Sequence, residues 1–284
     1  MPENVFETIR QEYYDLTAAE KKTADYVMNH HAETQFLSIA ELAEACGVAE
    51  ATVSRFCRRL GYKGYNAFKL AIANATAVRR QDNGQPSGQA LSGDRLEDIC
   101  QQLYAADTAA ITETMSIIDP DTIRAAADCL TEASKVLCMG QGGSMIMAQE
   151  AAHLFSTVSG KFFAVGDSHS QTIAAANMSP TDALLFFSYS GSTRELMETL
   201  AVARAQGARI LLITRFPKAP GAALADVVLP CGSNESPLQL GSVPARIAQM
   251  FLLDVLFAEF CRRNDAACRQ SQKRVAAGLT EKHL

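Results

Sequence analysis

Five short apolar runs divide the second half of this chain: residues 136–139 (VLCM), 162–165 (FFAV), 183–187 (ALLFF), 210–213 (ILLI) and 227–229 (VVL). Runs of three to five apolar residues without polar alternation suit strands buried on both faces. Alternating with helical segments, as several of these do, such strands make a parallel sheet covered on both sides. The expectation for this half is a doubly wound α/β three-layer sandwich. Nothing similar occurs earlier. Thr17 with Glu20 and Ser38 with Glu41 are capping boxes, a hydroxyl and a carboxylate three residues apart that open helices, and no strand-like alternation separates them.

Between the two halves, residues 79–94 (RRQDNGQPSGQALSGD) hold Leu91 as their only large apolar side chain and read as a linker. The predicted organisation is an all-α domain over 1–78, the linker 79–94, an α/β domain over 95–263 with a leading helix, and a polar, helical tail over 264–284. A length of 284 residues suits about two domains. Leu96, Ile99, Leu103, Ile111, Met115 and Ile118 mark one apolar stripe on the leading helix, which ends at Pro120.

No apolar run approaches the roughly 18 residues of a membrane span, and Met1-Pro2-Glu3-Asn4 does not resemble a secretion signal. The expected compartment is the cytoplasm, without membrane association. The eight cysteines form no Cys-x-x-Cys pair and mostly sit in apolar periodic segments, so buried reduced thiols are expected. The five histidines lack metal-ligand spacing, so neither a metal nor a cofactor is expected.

Charge is unevenly placed. The chain carries −5 overall, yet residues 50–80 hold seven basic side chains against Glu50 alone. That segment overlaps a helix-turn-helix pattern. Small Ala43 allows a close helix crossing, Gly47 four residues on can end the first helix in the left-handed conformation, and Val48, Val53 and Phe56 fill the angle. Stepping about 100° per residue from Val53 puts Ala51, Ser54, Arg55, Arg58 and Arg59 on the opposite face. Arginines there suit a major groove.

Two hydroxyl-rich loops follow strands. Gly140-Gln141-Gly142-Gly143-Ser144 precedes a helix, and Ser188-Tyr189-Ser190-Gly191-Ser192-Thr193 precedes another, so hydroxyls and positive helix ends meet at the carboxyl side of a parallel sheet. Met145 stands where a dinucleotide fingerprint needs its third glycine. Ser192 with Glu195 reads as a capping box, which leaves Ser188, Ser190 and Thr193 unexplained by capping. His153, inside an apolar helix, reads as a packed core histidine. Residues 243–260 are apolar almost all round and must be covered on most sides, either inside one subunit or by a second.

The run SIAELAEACGVAEATVSRFCRRLGYKGYNAF (residues 38–68) resembles the N-terminal domain of the RpiR family of bacterial transcriptional regulators, apart from Ala49 where that family commonly has a capping Ser. The two loops resemble the sugar isomerase (SIS) phosphosugar-binding domain over about residues 122–262. The resemblance implies a regulator of sugar or amino-sugar metabolism, not an enzyme, in which Thr52, Ser54, Arg55 and Arg58 face operator DNA and Arg59 and Lys63 its phosphates. It further implies that Ser144, Ser188, Ser190 and Thr193 hold the phosphate of a sugar effector, with Gln141, His169 and Glu235 as candidate sugar contacts. It also implies a homodimer or higher homo-oligomer through the SIS domain, matching a palindromic double-stranded operator. The competing expectation is a phosphosugar isomerase using Glu195, Glu235 and His169 for proton transfer. A third is a DNA-binding protein whose SIS domain only dimerises.

Overall fold

The structure, a computed structural model, describes residues 4–82, 95–232 and 243–280. Among these, residues up to Ala105 form one compact unit and those from Ala106 a second. The first unit is helical: α1 (Val5–Glu12), α2 (Ala18–Asn29), the single turn α3 (His31–Thr34), α4 (Ile39–Cys46), α5 (Glu50–Arg59) and α6 (Tyr65–Asp82). Both expected capping boxes are formed, at Thr17/Glu20 and Ser38/Glu41. Phe6, Ile9, Val27, Leu42, Val53, Phe56, Phe68 and Ile72 make its core, with Phe56 edge-on to Phe68 at 5.5 Å. The helix-turn-helix turns on Gly47 at φ 63°, ψ 42°; Val48 N donates to Ala43 O (2.9 Å) and Gly47 N to Glu44 O (3.0 Å). These are the bonds that close a helix through a left-handed residue. Ala49 occupies the N-cap of α5 with no side-chain hydrogen bond.

Helix α6 runs to Asp82, so the first four residues of the expected linker are helical, and 83–94 lie outside the described residues. Helix α7 (Leu96–Ile117) crosses from the first unit into the second. Its predicted apolar stripe is not its buried face: Ile111 and Met115 are exposed, and Ala110 and Thr114 are buried instead. Small residues admit close backbone approach, and that decides the packing here.

The second unit continues with α8 (Pro120–Glu132), β1 (Lys135–Gly140), α9 (Gly143–Ser156), β2 (Phe162–Ala164), α10 (Ser168–Ala176), β3 (Asp182–Phe187), α11 (Arg194–Ala205), β4 (Arg209–Thr214), β5 (Val227–Pro230), α12 (Val243–Arg263) and α13 (Asp265–Thr280). The five strands pair in parallel in the order β2-β1-β3-β4-β5. Alternate strand residues face opposite layers, as the pleat requires. Val136, Cys138, Leu185, Phe187 and Leu211 join α8, α9 and α12, while Leu137, Met139, Leu184, Phe186 and Ile210 join α10 and α11. Helix α12 buries Leu252, Leu253, Leu256 and Phe260 against α8 and α9 of its own chain. Phe155 lies edge-on to Phe257 and Phe260 at 5.3 and 5.2 Å.

His153 is exposed, which corrects the core reading. The buried residues of α9 are Met147, Ala148, Ala151, Ala152 and Phe155, and 100° steps turn residue 153 outward. Six of the eight cysteines are buried, Cys261 is half-buried and Cys100 exposed. Burial pushes the Cys57, Cys138 and Cys231 thiols up to about 12. Among the described residues no His, Cys, Asp and Glu cluster is placed to hold a metal, and no helix is long and apolar enough to cross a membrane.

Candidate functional site

The sheet reverses its winding between β1 and β3, and Gly140 pairs with Phe187 at the carboxyl ends of these strands. The loops 140–144 and 188–193 therefore leave the sheet side by side, at the switch point where open α/β sheets bind ligands. Between them lies a cavity of about 170 Å³ with Phe186 and Phe187 in its lining. Its polar lining is Gln141, Ser144, Ser188, Tyr189, Ser190 and Thr193. All four sequence-predicted hydroxyls and Gln141 are thus brought to one place.

Local backbone rules build each loop. A Cβ on Gly140 would stand 2.6 Å from Ser144 O, so only glycine lets α9 start this close to the strand end. Gly191 has φ 60°, its amide donates to Ser188 Oγ (3.2 Å), and a Cβ there would meet Ala219 Cβ at 2.6 Å. Ser190 Oγ accepts from Ser192 N (3.4 Å). The N-cap of α11 is Thr193, whose Oγ1 accepts from Leu196 N (3.4 Å); the capping box expected from Ser192 and Glu195 does not form. Each of these three hydroxyl oxygens is used as an acceptor, which leaves its O–H to donate. Among the described residues no lysine or arginine lines the cavity, so an anion there meets neutral donors and the positive ends of α9 and α11.

Gln171, a residue that sequence reasoning missed, is fully buried in α10. Its Nε2 donates to Gly140 O and Val165 O, each at 2.9 Å, and its Oε1 accepts from Gln141 Nε2 at 2.7 Å. Tyr189 was missed as well. Its carbonyl accepts from Thr214 Oγ1 (3.1 Å) and from Arg215 N (3.1 Å). Arg215 Nη2 in turn reaches Glu113 Oε1 on α7 at 3.0 Å. The next α7 residue, buried Thr114, accepts from Gly232 N (3.0 Å), and a Cβ on Gly232 would stand 2.7 Å from Thr114 N. The loop that lines the cavity is therefore bonded through β4 to α7.

His169 is exposed in the first turn of α10, which Asp167 caps, and it is not among the cavity's lining residues. Hydrogen bonds from Ser170 hold the Asp167 carboxyl below its ordinary range. Glu195 is exposed and also absent from the lining. Glu235 lies outside the described residues.

In the first unit, α5 turns Val53, Phe56 and Cys57 inward and leaves Arg55, Arg58 and Arg59 exposed; Lys63, just after the helix, is exposed too. Ser54 is half-buried. Thr52 is 8% exposed and its Oγ1 accepts from Arg55 Nη2 at 3.3 Å. Arg59 Nη1 lies 3.6 Å from Glu20. Burial pushes the Glu20 carboxyl up, but hydrogen bonds from Thr17 and the charges of Arg59 and Arg55 outweigh this and hold it below its ordinary value.

Residues 3–79 match the helix-turn-helix domain of the rpiR family, and residues 129–259 match the SIS domain. An uncharacterised HTH-type transcriptional regulator of Caldanaerobacter subterraneus subsp. tengcongensis is 32% identical over 256 residues, 89% of either chain. The HTH-type transcriptional regulator HexR of Pseudomonas aeruginosa is 29% identical over 97% of this chain and 95% of its own. The Vibrio vulnificus NanR protein, in a structure complexed with ManNAc-6P, shares the fold with a TM-score of 0.86 at 24% identity over 98% of each chain.

Proposed function

We propose that this chain, which belongs to the RpiR family of helix-turn-helix transcriptional regulators, converts the level of a phosphorylated sugar or amino sugar into a change in operator binding. The observation that carries the effector half is the cavity at the β1/β3 switch point, where Ser144, Ser188, Ser190 and Thr193 surround one anion-sized space. The similar NanR protein is complexed with a sugar phosphate, which supports the same ligand class here. The four hydroxyls take the phosphate, and Gln141 is assigned to the sugar side, with Glu235 as a further candidate; His169, exposed and outside the cavity's lining, is not. An isomerase would need a base at the reacting carbons, and neither Glu195 nor His169 lines the cavity.

The DNA half rests on α5. Arg55 and Arg58, with Ser54 beside them, are assigned to base edges, and Arg59 and Lys63 to phosphates. Thr52 holds Arg55 in place. The functional domains on this reading are 1–78 and 95–263, joined by 79–94, with 264–284 as a tail. The protein works as a homodimer on a two-fold operator in the cytoplasm, where that DNA lies.

A ligand shifts an equilibrium only through different affinities for its two states. The chain of bonds from Tyr189 through Arg215 to Glu113 gives the effector loop a grip on α7, the helix that continues into the first unit. The test is fluorescence anisotropy of the full-length protein on DNA selected by it from a random pool, with and without ManNAc-6P, glucosamine 6-phosphate and glucose 6-phosphate. A change in affinity with one of them is expected. Unaltered DNA binding with all of them, and no thermal shift, would remove the effector reading.

A further inference from the structure

We infer that Gln171 fixes the polarity of Gln141, so that this wall of the cavity is a hydrogen-bond acceptor that selects sugars carrying a hydroxyl or N–H at the group it faces. The inference rests on the effector reading above and narrows its ligand class. A glutamine at a binding site ordinarily offers a donor or an acceptor at will, because a half-turn of its terminal amide exchanges the two. Gln141 has lost that freedom through a sequence of forced choices.

Gly140 O and Val165 O can only accept, so the group of Gln171 facing them at 2.9 Å must be its NH2. Gln171 is fully buried, and turning its amide over would set its oxygen against two carbonyls and leave its NH2 without them. Its Oε1 is thereby committed to face Gln141, and at 2.7 Å only an N–H can meet it. Gln141 must then present Nε2 to Gln171, and its Oε1 is left with no hydrogen bond among the described residues, on a side chain that lines the cavity. Two backbone carbonyls, one of them on the strand that ends in the loop itself, thus set the polarity of a ligand-facing group. Gln171 is a positioning residue in this scheme, and Gln141 is the specificity-determining one.

A sugar group that donates to Gln141 Oε1 is accepted. A deoxy analogue leaves the oxygen unpaired, and a carboxylate or keto oxygen at the same place meets another acceptor. A polar group that the bound sugar covers and leaves without its partner is what gives such sites their selectivity.

The experiment compares the wild type with Gln141→Met and Gln171→Leu. Ligand-induced thermal shifts of the full-length protein are titrated with glucose 6-phosphate, 2-deoxyglucose 6-phosphate, glucosamine 6-phosphate, ManNAc-6P, 6-phosphogluconate and inorganic phosphate. In the wild type, the best ligand should exceed its donor-lacking or acidic relative by about tenfold or more. In Gln141→Met that ratio should collapse towards one while the response to inorganic phosphate is unchanged. Gln171→Leu, which frees Gln141 to turn, should raise the acceptor-bearing relative against the donor-bearing one, a change that loss of packing alone would not produce. If Gln171→Leu does not fold, the Gln141→Met comparison decides alone, since Gln141 is only half-buried. An undiminished ratio in Gln141→Met overturns this inference and leaves the effector reading standing. Absence of binding by every probe to the wild type overturns both.

Discussion

Thr193→Asp separates two roles that the structure gives to one hydroxyl. Thr193 Oγ1 caps α11 by accepting from Leu196 N at 3.4 Å, and the same side chain lines the cavity. Replacement by alanine would confuse the two, because losing a cap costs about 1 kcal/mol of helix stability by itself. Aspartate is at least as good a cap as threonine, and its charge suits a helix N-terminus, so the unliganded protein should melt at or slightly above the wild-type temperature. A phosphate seated beside it meets like charge. At about 4 Å and an effective dielectric near 20, each pair of unit charges repels by about 4 kcal/mol. Thr193 is exposed, so halving this for solvent screening leaves about 2 kcal/mol, roughly a thirtyfold loss of affinity. A wild-type ligand at 100 times its dissociation constant adds about 2.7 kcal/mol of stability, which the variant should largely fail to gain. Thermal denaturation across a titration with the phosphosugar probes reads both quantities at once. A variant with wild-type melting and a wild-type ligand response would refute the placement of the phosphate at this loop.

Arg55→Ala and Arg58→Ala should each weaken binding to selected DNA by about 1 to 3 kcal/mol and relax base preference, whereas Arg59→Ala and Lys63→Ala should reduce the slope of log affinity against log salt by about one each. Anisotropy at several salt concentrations distinguishes these patterns, and equal losses on all sequences for all four variants would remove α5 as the reader. Ala49→Ser supplies the cap that α5 lacks and should add about 1 kcal/mol in denaturant unfolding of the full chain; no gain would mean that the free amides of α5 are already satisfied. Hydrogen bonds from Arg262 and Arg263 hold the Glu259 carboxyl down at about 2. A carboxyl depressed in the folded state stabilises at pH values above its unfolded value, about 4.3, and this is lost as pH falls towards the folded value. Glu259→Gln should therefore lower the melting temperature at pH 7 by more than at pH 3, and a difference constant across that range would contradict the ion pairs.

What could be read in advance follows from how local each constraint is. The inner strands β1, β3 and β4 were legible because a central parallel strand must satisfy apolar layers on both faces, and residues 183–187 can do so only by being apolar throughout; Leu185 and Leu184 indeed go to opposite cores, whereas Phe163 on the edge strand β2 is exposed. Gly47 was legible because a left-handed residue ending α4 admits little else. Where two local rules competed, the sequence pattern favoured the wrong one. Ser192 with Glu195 satisfies the capping-box pattern as well as Thr193 satisfies a simple cap, and the contest is settled by Gly191, whose packing against Ala219 and Thr214 fixes where the helix begins. His153 failed for another reason: mean apolarity of a segment says that a helix is buried somewhere, and only its angular phase says where. The girth of α12 demands cover without naming the cover, and α8 and α9 supply part of it from the same chain. Gln171 had no local signature at all. Its meaning comes from Gln141 thirty residues earlier and from Gly140 and Val165 at the ends of two paired strands. A polarity set across three elements becomes visible only when the sheet brings those elements together.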